Sequence, residues 1–200
     1  MAVAYLDPPA GLHPVSSPTR SEDPPAGSGD PLLRSLRRRR IDLLSLAEGF
    51  AVSAPSIPEL QDITERSWVL LAVTDLFEAW AIGWPPGGRI ELHDHGLSSG
   101  AVVVAQGILT ETSVRATDCG VALITTHRVA TGEHRRFRPR YVHDLLNEQD
   151  ELAISVHVYG PKLTTMSYYR LEPKGGVRVV RTEDVPSVGP FDFTSDHDPS

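Results

Sequence analysis

Histidines 93 and 95 stand one residue apart in the run IELHDHGLSSG, residues 90–100. In an extended strand, alternate side chains leave the same face about 7 Å apart along the chain, and two imidazoles so placed can bend toward one ion at about 2.1 Å. In a chain with 8 histidines the pair alone is a weak signal. Two further histidines occur in β-rich runs: His143 after FRPRYV and His157 within SVHVY. Taken singly, each is more often a hydrogen-bonded core or surface residue. Ser155, His157 and Tyr159 alternate along one run and therefore share a face.

The elements that would hold these residues are strands. From Trp68 onward the chain reads as short β-rich runs at steady intervals, among them WVLLAVT, FEAWAIGW, RIELHDHG, GAVVVAQGILTETSV, LAISVHVYG and LTTMSYYRLE. Turn residues separate most of them, such as Pro-Pro-Gly-Gly at 85–88, Gly107 and Thr-Gly-Glu. The pattern predicts an all-β sandwich or barrel of about ten strands. Upstream, residues 1–30 are rich in proline, glycine, serine and acidic residues and are expected to be a disordered tail. From Pro31, leucines 33, 36, 43, 44 and 46 fall at partly helical spacing and predict one short helix ending near Gly49. The block Arg37 to Arg40 reads as a solvated helix face. The folded domain is thus expected over 31–185, with 186–200 a flexible acidic tail.

Composition narrows the function. A chain of 200 residues, 40% hydrophobic, can bury one sizeable core. Its net charge of -7 argues against nucleic acid or an anionic membrane as partner and in favour of small molecules. One cysteine, Cys119, excludes an internal disulfide framework and suits a reducing compartment. There is no apolar run of bilayer length and no secretion-like start, so a cytoplasmic protein is expected, with a monomer as the simplest state.

The spacing of glycines and histidines is more specific than the histidines alone. Gly87, His93, His95 and Gly107 resemble the first signature of the cupin superfamily, and Gly132, Pro139, His143 and Asn147 resemble the second. Tyr141 stands where the second signature usually has a glycine. Most metal cupins also carry a glutamate shortly after H-x-H, whereas positions 98–101 here read Ser-Ser-Gly-Ala. Three imidazoles leave a divalent ion its full charge, and an anionic ligand must then come from elsewhere; a substrate thiolate would fit. With HDHGLSSGA, RYVHDLLN and SVHVYGPKL, from about Trp68 to about Tyr169, the chain resembles the cysteine dioxygenases, the thiol dioxygenases of the cupin superfamily.

That resemblance implies a double-stranded β-helix barrel and an Fe(II) enzyme that oxidises a small thiol, L-cysteine first, to its sulfinic acid with O2. It implies His93, His95 and His143 as iron ligands, and Ser155, His157 and Tyr159 as the family's Ser-His-Tyr relay, with the Tyr159 hydroxyl nearest the substrate. Asp94 would be structural and Asn147 would brace a turn. Two departures matter. The cysteine that animal members cross-link to the tyrosine is replaced by Gly100, and Cys119 is a bystander. Where the family places a carboxylate-binding arginine, this chain has Val69 or Leu70. Arg66 sits about a turn too early, and spacing does not single out Arg89, Arg138 or Arg140. Another mercapto acid therefore stays open as substrate, as do a zinc hydrolase and a non-catalytic metal-binding cupin that senses a small ligand.

Overall fold

The computed structural model describes residues 41–117, 121–173 and 175–186. The expected tail over 1–30, the Arg37 to Arg40 run, Cys119 and the acidic end beyond Pro186 lie outside them. The first element is a helix, α1 (Leu43–Ala51), whose N-cap Asp42 accepts the backbone N–H groups of Leu44 and Ser45 at 3.2 and 3.5 Å. Two of the donors that a helix start leaves unpaired are satisfied this way. The helix does not stop at Gly49 but continues to Ala51, because Phe50 and Ala51 pack against the core. Their burial outweighs the roughly 1 kcal/mol that a helical glycine costs.

Two 3-10 turns, Ala54–Ser56 and Pro58–Leu60, lead into eleven strands. These are β1 (Ser67–Val73), β2 (Glu78–Trp84), β3 (Arg89–Asp94), β4 (Ser99–Gln106), β5 (Ile108–Ala116), β6 (Ala122–Ala130), β7 (His134–Phe137), β8 (Val142–Leu146), β9 (Ala153–Gly160), β10 (Thr165–Leu171) and β11 (Val177–Asp184). The run GAVVVAQGILTETSV is two strands in different sheets. Gly107 breaks it at φ 78°, with Ala153 Cα 3.0 Å from where a β-carbon would stand, so only glycine fits the corner.

Every pairing is antiparallel, in two sheets ordered β1-β2-β9-β4-β7 and β11-β10-β3-β8-β5-β6. This is the double-stranded β-helix barrel expected from the sequence. Strand β9 lies between β2 and β4 and is buried on both faces. Ile154, Val156 and Val158 pack with Leu44 and Ala47 of α1, while Ser155, His157 and Tyr159 face the barrel interior. The β2–β9 register pairs Ile82 with Ser155, Trp80 with His157 and Glu78 with Tyr159, so these side chains line one interior wall. A slip of one residue would turn His157 toward the helix and expose the valines to the polar wall; burial at roughly 1.5–3 kcal/mol per aliphatic side chain holds the register.

The turns at one end are tied together by Asn147, which is fully buried. Its amide donates to the carbonyls of Trp84 and Glu151 at 2.8 and 2.7 Å, and its side-chain oxygen accepts the Gln149 N–H at 2.9 Å. One side chain thus joins the end of β2 to the β8–β9 turn. Asn147→Ala removes three hydrogen bonds, the one to the Trp84 carbonyl buried, and should destabilise the fold by about 3 kcal/mol. Urea titration followed by circular dichroism will show this as a lower midpoint at unchanged slope.

Candidate metal centre

Strand β8 runs between β3 and β5, and the β3–β8 register sets His93 directly opposite His143. His95 is the first residue past β3 rather than part of it, because the chain turns at Gly96, where φ is 56°. The turn swings the His95 ring back over its neighbours. Ring centroids are 4.7 Å apart for His93 and His95, 4.9 Å for His93 and His143, and 5.3 Å for His95 and His143. All three residues are buried, and one nitrogen from each lies within 4.8 Å of the other two.

Hydrogen bonding fixes which nitrogens face inward. The Nδ1–H of His93 donates to the Glu91 carbonyl at 2.8 Å, and His143 Nδ1 lies 2.8 Å from Glu111 Oε1. Each ring therefore turns an Nε2 lone pair toward the centre. His93 Nε2 and His95 Nε2 are 3.1 Å apart. Two nitrogens bound at right angles to one ion at about 2.1 Å would be separated by about 3.0 Å. His143 Nε2, turned toward the other two rings, has no protein partner although it is buried. An orphaned polar atom at a convergence of imidazoles is what a cation repairs, and the residues fit a divalent metal held by His93, His95 and His143.

Beside the cluster runs a row of hydrogen bonds along β9. The Trp84 indole N–H donates to Ser155 Oγ at 2.8 Å, Ser155 Oγ lies 2.8 Å from His157 Nε2, and His157 Nδ1 lies 3.2 Å from the Tyr159 hydroxyl. An indole can only donate. The consistent arrangement has Ser155 donating to Nε2 and Nδ1–H donating to Tyr159, which leaves the phenolic proton free to point into the cavity. The Tyr159 ring lies tilted with its centre 4.9 Å from that of His95, so that proton stands next to the histidine cluster.

A cavity of about 410 Å³ opens on His93, His157 and Tyr159, walled by Trp80, Ile82, Trp84, Ile90, Leu145 and Met166. Arg66 lines it too, its guanidinium 5.4 Å from the Trp68 ring centre and 5.5 Å from that of Trp84. This corrects the count along the strand, which put Arg66 too early: a long side chain laid over two indoles reaches where the strand position does not. Arg89, Arg138 and Arg140 are exposed and do not line the cavity. Among the described residues no carboxylate pairs with Arg66. Burial pulls its pKa down, the direction for a cation without a counter-ion.

Two residues have purely structural surroundings. Asp94 points away from the cluster, accepting the Tyr169 hydroxyl at 2.6 Å and the Gly96 N–H at 2.9 Å. A β-carbon on Gly100 would overlap the Phe137 ring and lie 2.7 Å from the Val158 carbonyl oxygen. Phe137 fills that space and stacks on His95 at 4.7 Å. The pattern reading overlooked Glu111 and Trp84; a charged residue in a strand reads as solvent-facing and a tryptophan as core, so neither carried a signal.

Burial, followed by the charge of His143 and then Arg66, depresses the His157 pKa from 6.5 to about 3. Burial lowers those of His93 and His95 well below 6.5, with neighbouring histidines adding to it. The unfolded chain therefore takes up protons first, and stability is lost as pH falls below 6.5, a loss that for His157 runs down to about 3. In metal-free protein, His157→Gln should reduce the slope of stability against pH across that window by about 1.4 kcal/mol per pH unit. Urea titrations at fixed pH measure it.

The family model described as cysteine dioxygenase type I matches residues 57–171, more than half of the chain. Solved structures similar to this chain include the cupin domain of Cnp3 from Schizosaccharomyces pombe, 17% identical with a TM-score of 0.44 over 54% of this chain and 66% of that one. A conserved protein with a double-stranded β-helix domain from Klebsiella pneumoniae is 17% identical, with a TM-score of 0.42 over 64% and 93%. A sugar phosphate isomerase of the cupin superfamily from Silicibacter pomeroyi is 20% identical, with a TM-score of 0.42 over 58% and 76%. The family match spans every residue of the three-histidine cluster and of the row along β9, and the chain belongs to the cysteine dioxygenase type I family.

Proposed function

We propose that the protein is an Fe(II)-dependent thiol dioxygenase that converts a small mercapto acid, L-cysteine first among them, to its sulfinic acid, with both atoms of one O2 ending on sulfur. The observation that carries this reading is a cluster of three imidazoles with, among the described residues, no carboxylate in it, opening on a cavity that holds a tyrosine hydroxyl and an arginine that pairs with no described carboxylate. Iron(II) held by His93, His95 and His143 would supply a redox-active centre at which a thiolate and O2 can meet.

The chain's own residues do the rest. Arg66 receives the substrate carboxylate as a counter-ion, its guanidinium held against the Trp68 and Trp84 rings, which fixes the distance of the sulfur from the histidines. Tyr159 donates its hydroxyl proton toward the sulfur and oxygen; burial, with the Glu78 carboxylate adding to it, pushes the phenol pKa up, so the proton stays in place. His157 and Ser155 hold the phenol in that direction. The apolar wall keeps bulk water from competing for the thiolate.

The cavity volume favours a second reading of the substrate. At about 410 Å³ it falls within the ~300–1,000 Å³ of sites that enclose drug-sized ligands, more than a molecule of cysteine's size fills. A longer or aromatic mercapto acid would use Trp80, Ile82 and Met166 as well as Arg66.

Anaerobic loading with Fe(II), then exposure to O2 with cysteine, homocysteine, cysteamine and 3-mercaptopropionate, tests the proposal. The expected result is one O2 consumed per sulfinate detected by mass spectrometry. No oxygen uptake with any thiol by iron-loaded protein would sink it. His143→Ala should lose iron retention, whereas Tyr159→Phe should keep iron and slow turnover by about 10²-fold. Arg66→Gln should lower kcat/KM by about 10–100-fold for the thiol acids. Cysteamine, which has no carboxylate, should be unaffected by that change.

A further inference from the structure

Glu111 takes no part in the scheme above. It is 1% exposed and stands on β5, next to β8. Its Oε1 lies 2.8 Å from His143 Nδ1 and accepts the Tyr141 hydroxyl at 3.4 Å. Its Oε2 lies 3.0 Å from Arg135 Nε on β7, in the other sheet. The Arg135 N–H is not aimed at that oxygen, so the contact is an ion pair rather than a hydrogen bond. Arg135 keeps 32% of its side-chain surface in solvent.

A carboxylate buried this deeply costs several kcal/mol to strip of water unless positive charge stands against it. Among the described residues the cation against it is Arg135, and the His143 ring stands on its other side. Three imidazole ligands bring no negative charge to a divalent ion, and the usual ligand glutamate is missing from positions 98–101. The Glu111 carboxylate is one ring removed from the place that charge would occupy.

We propose that Glu111 supplies, through His143, the negative charge that the metal would otherwise draw from a ligand carboxylate, and that Arg135 opposes it. The inference rests on the three histidines being a metal site. Both are positioning residues with effects of opposite sign. Glu111 strengthens the hold on the metal and favours the oxidised ion over the reduced one, because a fixed anion stabilises the higher charge more. Arg135 cancels part of that field.

Chelator competition for Fe(II) under anaerobic conditions and redox titration of the bound iron separate this from a packing role. Glu111→Gln should weaken Fe(II) binding by about 10–100-fold and raise the Fe(III)/Fe(II) potential. Arg135→Gln should bind Fe(II) at least as tightly as the wild type and lower the potential. A loss of affinity in both variants, or an unchanged potential in Glu111→Gln, would overturn the proposal. Should Glu111→Gln fail to fold by circular dichroism, Arg135→Gln decides alone, and a potential that does not fall sinks it. Wild-type protein that retains no Fe(II) defeats the metal site and this inference together. If the wild type holds iron but oxidises no thiol, opposite shifts in the two variants still uphold the inference while the dioxygenase reading falls.

Discussion

His93 and His143 face each other across the β3–β8 ladder, and the burial of both rings at that crossing is the constraint around which the interior is arranged. Imidazoles shut away from water must each place two ring nitrogens. One nitrogen of each ring is anchored outward, on a backbone carbonyl for His93 and on a carboxylate for His143, and the other is turned in. His95 joins them only because the chain turns at Gly96. Outward anchors and inward lone pairs make the cluster a preformed receptor whose orientation does not depend on its occupant.

Much of this was legible in the sequence because β-structure has a period of two. The alternation of Ser155, His157 and Tyr159 was sufficient to place them on one face, whereas the convergence of His143 with H-x-H was implied only by the resemblance to the cysteine dioxygenases. What escaped was whatever depends on depth or reach. Arg66 enters the cavity by the length of its side chain and the indoles beside it, from the residue just before β1, and counting back along β1 across its register shift between Leu70 and Ala72 misplaces it. Glu111 carries a charge in a strand beside polar neighbours, and only the sheet order reveals that it backs onto a histidine. The corner at Gly107 and the helix passing through Gly49 show glycine in opposite roles, one demanded by a positive φ and the other carried along by its neighbours' packing.

Gly100, where the resemblance places the cysteine that animal members cross-link to the tyrosine, leaves room for an aromatic ring. With no side chain there, the Phe137 ring occupies the space and stacks on His95. The aromatic contact restrains His95, the one cluster member whose outward nitrogen has no acceptor. Packing thus takes over on that ring the orienting task that hydrogen bonds perform on the other two.

The row from Trp84 to Tyr159 has an implication for proton movement. A wire that carries protons needs at each end a group that can release one or take one up, yet this one ends on a fully buried indole that does neither. Any proton the phenol lends to chemistry in the cavity has to come back through the cavity mouth. The row can stiffen and polarise Tyr159, but it has no outlet, so the pace of proton return is set by the open side of the barrel.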